Sequence, residues 1–283
     1  MARDSVLSRT QEALDAKGAK EVLDLHGLPY KDAKFIVFSD FDGTITTEDS
    51  NDHLTDNLGM GVTRRKAIGA DILSGKTTFR DGFREELASV ATKYSVEECR
   101  QRVVSHIKLD QGFKSFHEYC ESENIPVVVV SGGMEPFIRA ELANLFPEKS
   151  SSIPVISNNI DYGSKGTGEK GTWSIKYRHP ETGYGHDKSL ATKPYKELRE
   201  KTGKGPFMFF CGDGVSDLSA ARAADVLFVK VVSGGTNDLS VHCQKEGIDY
   251  IPFEDFSQVE VVVREYLEGK RRLPNTLSTQ LKN

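Results

Sequence analysis

Apolar positions in this chain come in two rhythms. Phe35-Ile36-Val37-Phe38, Pro126-Val127-Val128-Val129-Val130 and Phe207-Met208-Phe209-Phe210-Cys211 are short unbroken runs that end in glycine-bearing turns. Runs of that length, without polar alternation, predict strands covered on both faces, as in a parallel sheet. Between them the spacing changes to that of helices. Phe83, Leu87 and Val90 recur on one helical face, as do Val96, Val103 and Ile107. Helices are also predicted from Pro136 to Leu142, from Tyr195 to Leu198 and from Leu218 to Ala224. After Val155-Ile156-Ser157-Asn158-Asn159, a glycine-rich stretch from Gly163 to Gly171 leads into the alternating Thr172–His179, which predicts a β-hairpin.

The expected architecture is therefore α/β: a Rossmann-like open parallel sheet with helices on both faces and a small helical cap inserted after the first strand. We place the core at residues 34–47 and 121–269, the hairpin insertion at about 159–187 and the cap at 48–120. Leu7, Leu14, Val22 and Leu23 stand among charges in residues 1–33, an N-terminal extension of one or two amphipathic helices. Residues 270–283 form a polar tail.

The candidate chemistry lies where the strands end. Asp40 and Asp42 follow the first run, in the crevice where open α/β sheets bind ligands, and period two turns both to one side with Phe41 turned away. Two such carboxylates can divide labour, one attacking an electrophile and the other moving a proton, although Asp-Gly-Thr also serves as a plain turn. Ser131-Gly132-Gly133 ends the second run and leads into a helix, bringing a hydroxyl and unhindered N–H groups to an anion. Gly212-Asp213-Gly214-Val215-Ser216-Asp217 ends the third run and adds two acids. Lys188 lies between the second and third, and Lys193, ahead of Pro194, is its rival for a place beside the phosphate.

Taken together, these segments resemble the haloacid-dehalogenase-like phosphatases over about residues 34–260. The resemblance implies that Asp40 is a nucleophile forming an aspartyl phosphate and that Asp42 is the general acid and base. It further implies that Mg²⁺ is held by the Asp40 side chain, the Asp42 carbonyl and Asp213, with Asp217 behind them, and that Ser131, Gly132 and Lys188 hold the transferring phosphoryl group. Phosphoryl transfer needs in-line positioning and neutralised oxygens, which such a set supplies. A second aspartate favours ester hydrolysis over dehalogenation, because an alkoxide leaving group benefits from a general acid. Gly43-Thr44-Ile45 differs from the Lys-Thr-Gly-Thr run of ion-pumping ATPases.

The cap is similar to that of the phosphoserine phosphatase branch. On that likeness Arg84 falls on the arginine that grips a substrate carboxylate, and Asp49 on the acid that meets a substrate amine. Read from spacing alone, Arg84 is equally a surface partner of Asp81, and Asp49 a helix cap. Asp49 stands where that branch has glutamate, and Ser216 where it has asparagine, departures that bear on phosphoserine as substrate. The hairpin, the stretch Ala224–Lys230 and the stretch Tyr250–Phe256 look more like the methylthiopentenyl-phosphate phosphatases and the fungal polyol-phosphate phosphatases. In that setting Trp173, Tyr177, Arg178 and His179 line an entrance, or else the aromatics simply pack.

At 283 residues and 37% hydrophobic content the chain is long enough for one α/β core and a modest cap. A formal charge of −5 argues against nucleic acid as a partner. No apolar run reaches membrane-spanning length, and the N-terminus lacks a signal-peptide core. Cys99, Cys120, Cys211 and Cys243 show no metal-binding spacing and read as reduced thiols of a cytoplasmic protein. The expected partner is a small phosphorylated metabolite, a polyol phosphate, phosphorylated amino acid or methylthio-sugar phosphate. A phosphotransferase or mutase would share the same aspartyl phosphate, and a non-catalytic binding protein would share only the fold. Composition and motifs do not address the oligomeric state.

Overall fold

The computed structural model describes residues 27–232 and 235–272. Most of the N-terminal extension and the tail beyond residue 272 lie outside the described residues. Two compact units divide the described residues, one formed by those up to Asp40, by Asp110–Val130 and by those from Lys188 onward, the other by Phe41–Leu109 and Ser131–Asp187.

The first unit is built on parallel strands. β1 (Phe35–Ser39) pairs with β2 (Val127–Met134) in the register Val37↔Val127 and with β5 (Phe207–Gly212) in the register Phe35↔Phe207. β5 pairs with β6 (Val226–Lys230), and β6 with β7 (Ile251–Phe253). All five residues of β1 and all six of β5 are buried, which is why these runs carry no polar alternation. Phe35, Phe207 and Phe209 meet ring to ring within this sheet at centroid distances of 5.2–6.0 Å. α5 (Phe113–Ser122) packs on α10 (Phe256–Leu267), the helix that follows α9 (Asp238–Glu246). The buried pair Lys230–Asp110, 2.7 Å apart, ties the turn before α5 to β6. Asp110 Oδ1 also accepts from the N–H of Phe256 at the start of α10. These bonds place Asp110–Cys120 with the sheet, so the helical region expected at 48–120 is divided at its end.

The second unit is mainly helical: α1 (Ser50–Asn57), α2 (Val62–Leu73), α3 (Phe79–Ala91), α4 (Val96–His106) and α6 (Glu135–Leu145). β3 (Val155–Asp161) and β4 (Ser174–Lys176) pair antiparallel, with Ile160 opposite Ile175. Leu54, Phe83, Leu87, Val90, Val96, Val103 and Ile107 share one core with Phe137, Trp173, Ile175 and Tyr177. The helical periodicity and the alternation after Thr172 thus converge on one apolar interior. Trp173 is 4% exposed and donates its indole N–H to the Tyr94 carbonyl. It packs as core, as does Tyr177, whose hydroxyl donates to the Arg80 carbonyl.

Two element ends depart from expectation. β2 does not stop at Val130 but runs on through Ser131-Gly132-Gly133 to Met134, and α6 begins at once. The helix after the third motif is short: a 3₁₀ turn at Val215–Asp217 precedes α8 (Leu218–Ala221). The side chain of Asp217 accepts bonds from the N–H groups of Asp213 and Gly214, and this local closure occupies the turn where a longer helix would start. Among the described residues no helix is long and apolar enough to cross a membrane. All four cysteines are free and buried.

Candidate active site

In the first unit, Asp40 leaves the end of β1 with its N–H donated to the Cys211 carbonyl at 2.8 Å, which fixes it beside β5. Lys188 immediately precedes α7 (Ser189–Thr202), and its side chain has no exposure. Its ammonium lies 2.8 Å from Asp40 Oδ2 and 2.7 Å from Asp217 Oδ1. The other oxygen of Asp217 receives the N–H groups of Asp213 and Gly214 at 3.0 and 3.1 Å. A β-carbon at position 212 would come within 2.5 Å of that same oxygen, so the close approach requires glycine.

Asp40, Asp213 and Asp217 each offer an oxygen within 4.8 Å of the others. Burial raises the Asp40 pKa well above the ordinary range, and the charges of Asp217 and Asp213 add to this, while Lys188 pulls it down. Burial also works against the Lys188 ammonium, but Asp217 and Asp40 outweigh it and its pKa is raised. Three carboxylates around one ammonium leave surplus negative charge and all-oxygen donors, a set that fits a hard divalent cation. Asp217 spends one oxygen on Lys188 and the other on the N–H groups of Asp213 and Gly214. Lys193 lies on the exposed side of α7, in a surface cavity of about 350 Å³ with Lys196, Glu197 and Arg222. Lys188, not Lys193, reaches Asp40.

In the second unit, Asp42 is 7% exposed and sits at the N-terminus of α1. Its Oδ1 accepts the Ser50 N–H at 3.0 Å and its Oδ2 the Asn51 side-chain amide at 3.1 Å. Helix N–H groups and dipole favour a carboxylate there. Ser131 is fully buried, and its hydroxyl oxygen accepts the Gly133 N–H at 2.9 Å. A β-carbon on Gly133 would lie 2.8 Å from Asp42 Oδ2 and 3.2 Å from Ser131 Oγ, so this glycine lets acid and hydroxyl share a narrow space. The Ser131 carbonyl accepts from His186 Nδ1 at 2.8 Å, and the Gly132 carbonyl from the Asn158 amide at 2.8 Å. Asn158 also accepts the Arg178 N–H, joining the hairpin to the Ser-Gly-Gly strand end.

Asp49 caps α1, its side chain accepting from the N–H groups of Asn51 and Asp52. Arg84 pairs with Asp81 at 3.0 Å, lies over the Tyr177 ring at 5.2 Å and keeps half its side chain in solvent. Of the two readings of each residue, these contacts are the cap and the surface pair. Sequence reasoning missed Ser50, Asn51, Asn158 and His186. They act through contacts made on folding, and only the place of Asn51 on the first turn after the motif offered a local signal.

The sequence profile described as haloacid dehalogenase-like hydrolase matches residues 37–222. Pdp3-interacting factor 1 of Schizosaccharomyces pombe is 44% identical, over 79% of this chain and 92% of that protein. Polyol phosphate phosphatase PYP1 of Saccharomyces cerevisiae is 38% identical, over 84% and 96%. The 2-hydroxy-3-keto-5-methylthiopentenyl-1-phosphate phosphatase of Bacillus cereus is 25% identical, over 83% and 98%. Among solved structures, a phosphoserine phosphatase with an analogue of its phospho-aspartyl intermediate shares the fold, at a TM-score of 0.57 and 16% identity over 80% of this chain and 97% of that one.

Proposed function

The chain belongs to the haloacid dehalogenase-like hydrolases and is a phosphatase, and on that premise we propose that it hydrolyses small phosphomonoesters, phosphorylated polyols foremost, through an aspartyl phosphate on Asp40. The observation that carries this reading is the buried contact of Lys188 with Asp40 and Asp217. Mg²⁺ is the proposed cofactor, held by Asp40, the Asp42 carbonyl and Asp213, and when bound it neutralises oxygens of the transferring group. Asp217 keeps Lys188 and the Asp213 loop in place.

In the first half-reaction an Asp40 oxygen forms a bond to phosphorus as the ester oxygen departs, and Asp42 gives that oxygen its proton. In the second, Asp42 takes a proton from water, whose oxygen displaces Asp40 and releases phosphate. Ser131, the Gly132 backbone and Lys188 hold the phosphoryl oxygens through both steps. Ser50 and Asn51 fix the direction of Asp42, the backbone N–H of one and the side-chain amide of the other each donating to one of its oxygens. The 38% identity to a polyol phosphate phosphatase supports the substrate class.

The test is phosphate release from sorbitol 6-phosphate and from an aryl phosphate, with Mg²⁺ and with a chelator. Release with Mg²⁺, loss on chelation and loss in a folded Asp40→Asn variant are expected. Unchanged turnover in Asp40→Asn refutes the assignment.

A further inference from the structure

Among the described residues two sets of three side chains bring ligand atoms within 4.8 Å of one another: Asp40, Asp213 and Asp217, and a second set in the second unit, Glu48, His53 and His106. The second set has no part in the mechanism above. Its chemistry also differs, since two imidazoles and one carboxylate suit a zinc-class ion where all-oxygen acids suit Mg²⁺.

The backbone around the set is fixed. Glu48 directly precedes Asp49, the cap of α1, and His106 is the last residue of α4. The segments that carry them are bonded to each other: the Thr47 N–H donates to the Lys108 carbonyl at 2.9 Å, and Thr46 bridges to Leu109. The Thr46 hydroxyl donates to the Glu48 carbonyl at 2.8 Å. His53, on α1, is 8% exposed, and Arg102 of α4 donates its Nε–H to the ring at Nε2, 3.0 Å away. In that bond Nε2 is the acceptor, its lone pair turned toward a cation. On the other side of the ring the Asn57 amide lies 3.3 Å from Nδ1 and donates to the His53 carbonyl at 2.8 Å.

The His106 ring stacks on this one at 3.8 Å between centroids, 19° from parallel, and its Nε2 lies 3.2 Å from Glu48 Oε2. Two donors bound to one zinc ion at about 2.0–2.1 Å and a tetrahedral angle stand about 3.3 Å apart, so His106 and Glu48 are already at ligand spacing. For nitrogens of both rings to converge on one ion, the rings must leave the parallel stack. His106 has 42% of its side chain in solvent and is the ring able to tilt, and the exposed Arg102 can yield its place at Nε2.

We propose that Glu48, His53 and His106 bind a zinc-class divalent ion, with solvent at the fourth position, and that the ion braces the start of α1 against the end of α4. Asp42 takes its N–H and amide bonds from Ser50 and Asn51 of that same helix start, so a bound ion stiffens the turn that holds it.

The test is Zn²⁺ binding to the untagged full chain by titration calorimetry, with Mg²⁺ in excess to occupy the all-oxygen site. One ion per chain is expected, held about a hundredfold less tightly in His106→Ala and about tenfold less tightly in Glu48→Gln. Arg102→Met removes the competing guanidinium and is expected to tighten binding about threefold. A damaged cap would weaken binding in every variant, so the opposite sign at Arg102 separates lost ligands from lost structure. Zn²⁺ binding that is absent from wild type, stays within about twofold in His106→Ala and Glu48→Gln, or fails to tighten in Arg102→Met overturns the site. At a hundredfold excess over the wild-type Kd, Zn²⁺ is expected to raise Tm by about 5 °C in wild type and by about 1 °C in His106→Ala. An equal rise in both overturns the brace.

Discussion

Buried acids are managed in opposite ways in the two units. In the first, each is matched to a cation: Asp40 and Asp217 to Lys188, Asp110 to Lys230, Asp225 to Arg199. In the second, Asp42 accepts from an N–H group and a side-chain amide, and Glu86 on α3 is 8% exposed among like charges. A cation-matched carboxylate is suited to attack phosphorus or to ligate a metal. One held by neutral groups is suited to exchange protons with an alcohol or water.

Removing the pairing in the first unit should have the largest effect. Lys188→Met leaves Asp40 and Asp217 buried without their ammonium, with an expected loss of about 3–5 kcal/mol in urea unfolding together with activity. A loss under about 1 kcal/mol would mean that the pair is not the anchor its burial indicates.

The second unit offers the converse substitution. Glu86 titrates at about 7 when folded against an ordinary value of 4.5. Between those values the folded chain keeps a proton that the unfolded chain has lost, so this group's contribution to stability falls as pH rises, with the full penalty present above pH 7. Glu86→Gln should match wild type near pH 4 and exceed it by about 3 kcal/mol at pH 8. Parallel stability profiles for the two proteins would show that burial does not raise the Glu86 pKa.

The smallest effect is expected at a pair that belongs to neither scheme. Arg84→Ala removes a surface ion pair and a ring contact, and should cost about 1 kcal/mol or less, with kcat/KM for a polyol ester changed less than about threefold. A loss of tenfold or more, confined to carboxylate-bearing esters, would restore Arg84 as their anchor.

The same contrast explains what could be read in advance. Continuous apolar runs mark buried parallel strands because both faces need covering, so β1 and β5 and the acids at their ends were legible. Lys188 was legible by its order relative to the motifs and by the His186-Asp187 entry directly before it, whereas Lys193 opens a helical run ahead of Pro194. The burial of Lys188 comes from where α7 begins. Ser131-Gly132-Gly133 looked like a turn because glycine punctuates loops, whereas here Gly133 serves close approach inside a strand end. Nothing in the local pattern sets Glu86 apart from other charged helix positions. What distinguishes it is the company of α1 and α2, which no local spacing reports.

The central claim is that Asp40 captures phosphorus, and an acid-quenched turnover tests it most directly. In an Asp42→Asn variant, whose second step lacks its base, mixing with an aryl phosphate and Mg²⁺ should leave a phosphoryl group on the peptide that carries Asp40, visible by mass spectrometry and absent when Asp40→Asn is added. Phosphorylation of another residue, or turnover that continues without any phosphorylated peptide, would contradict the account.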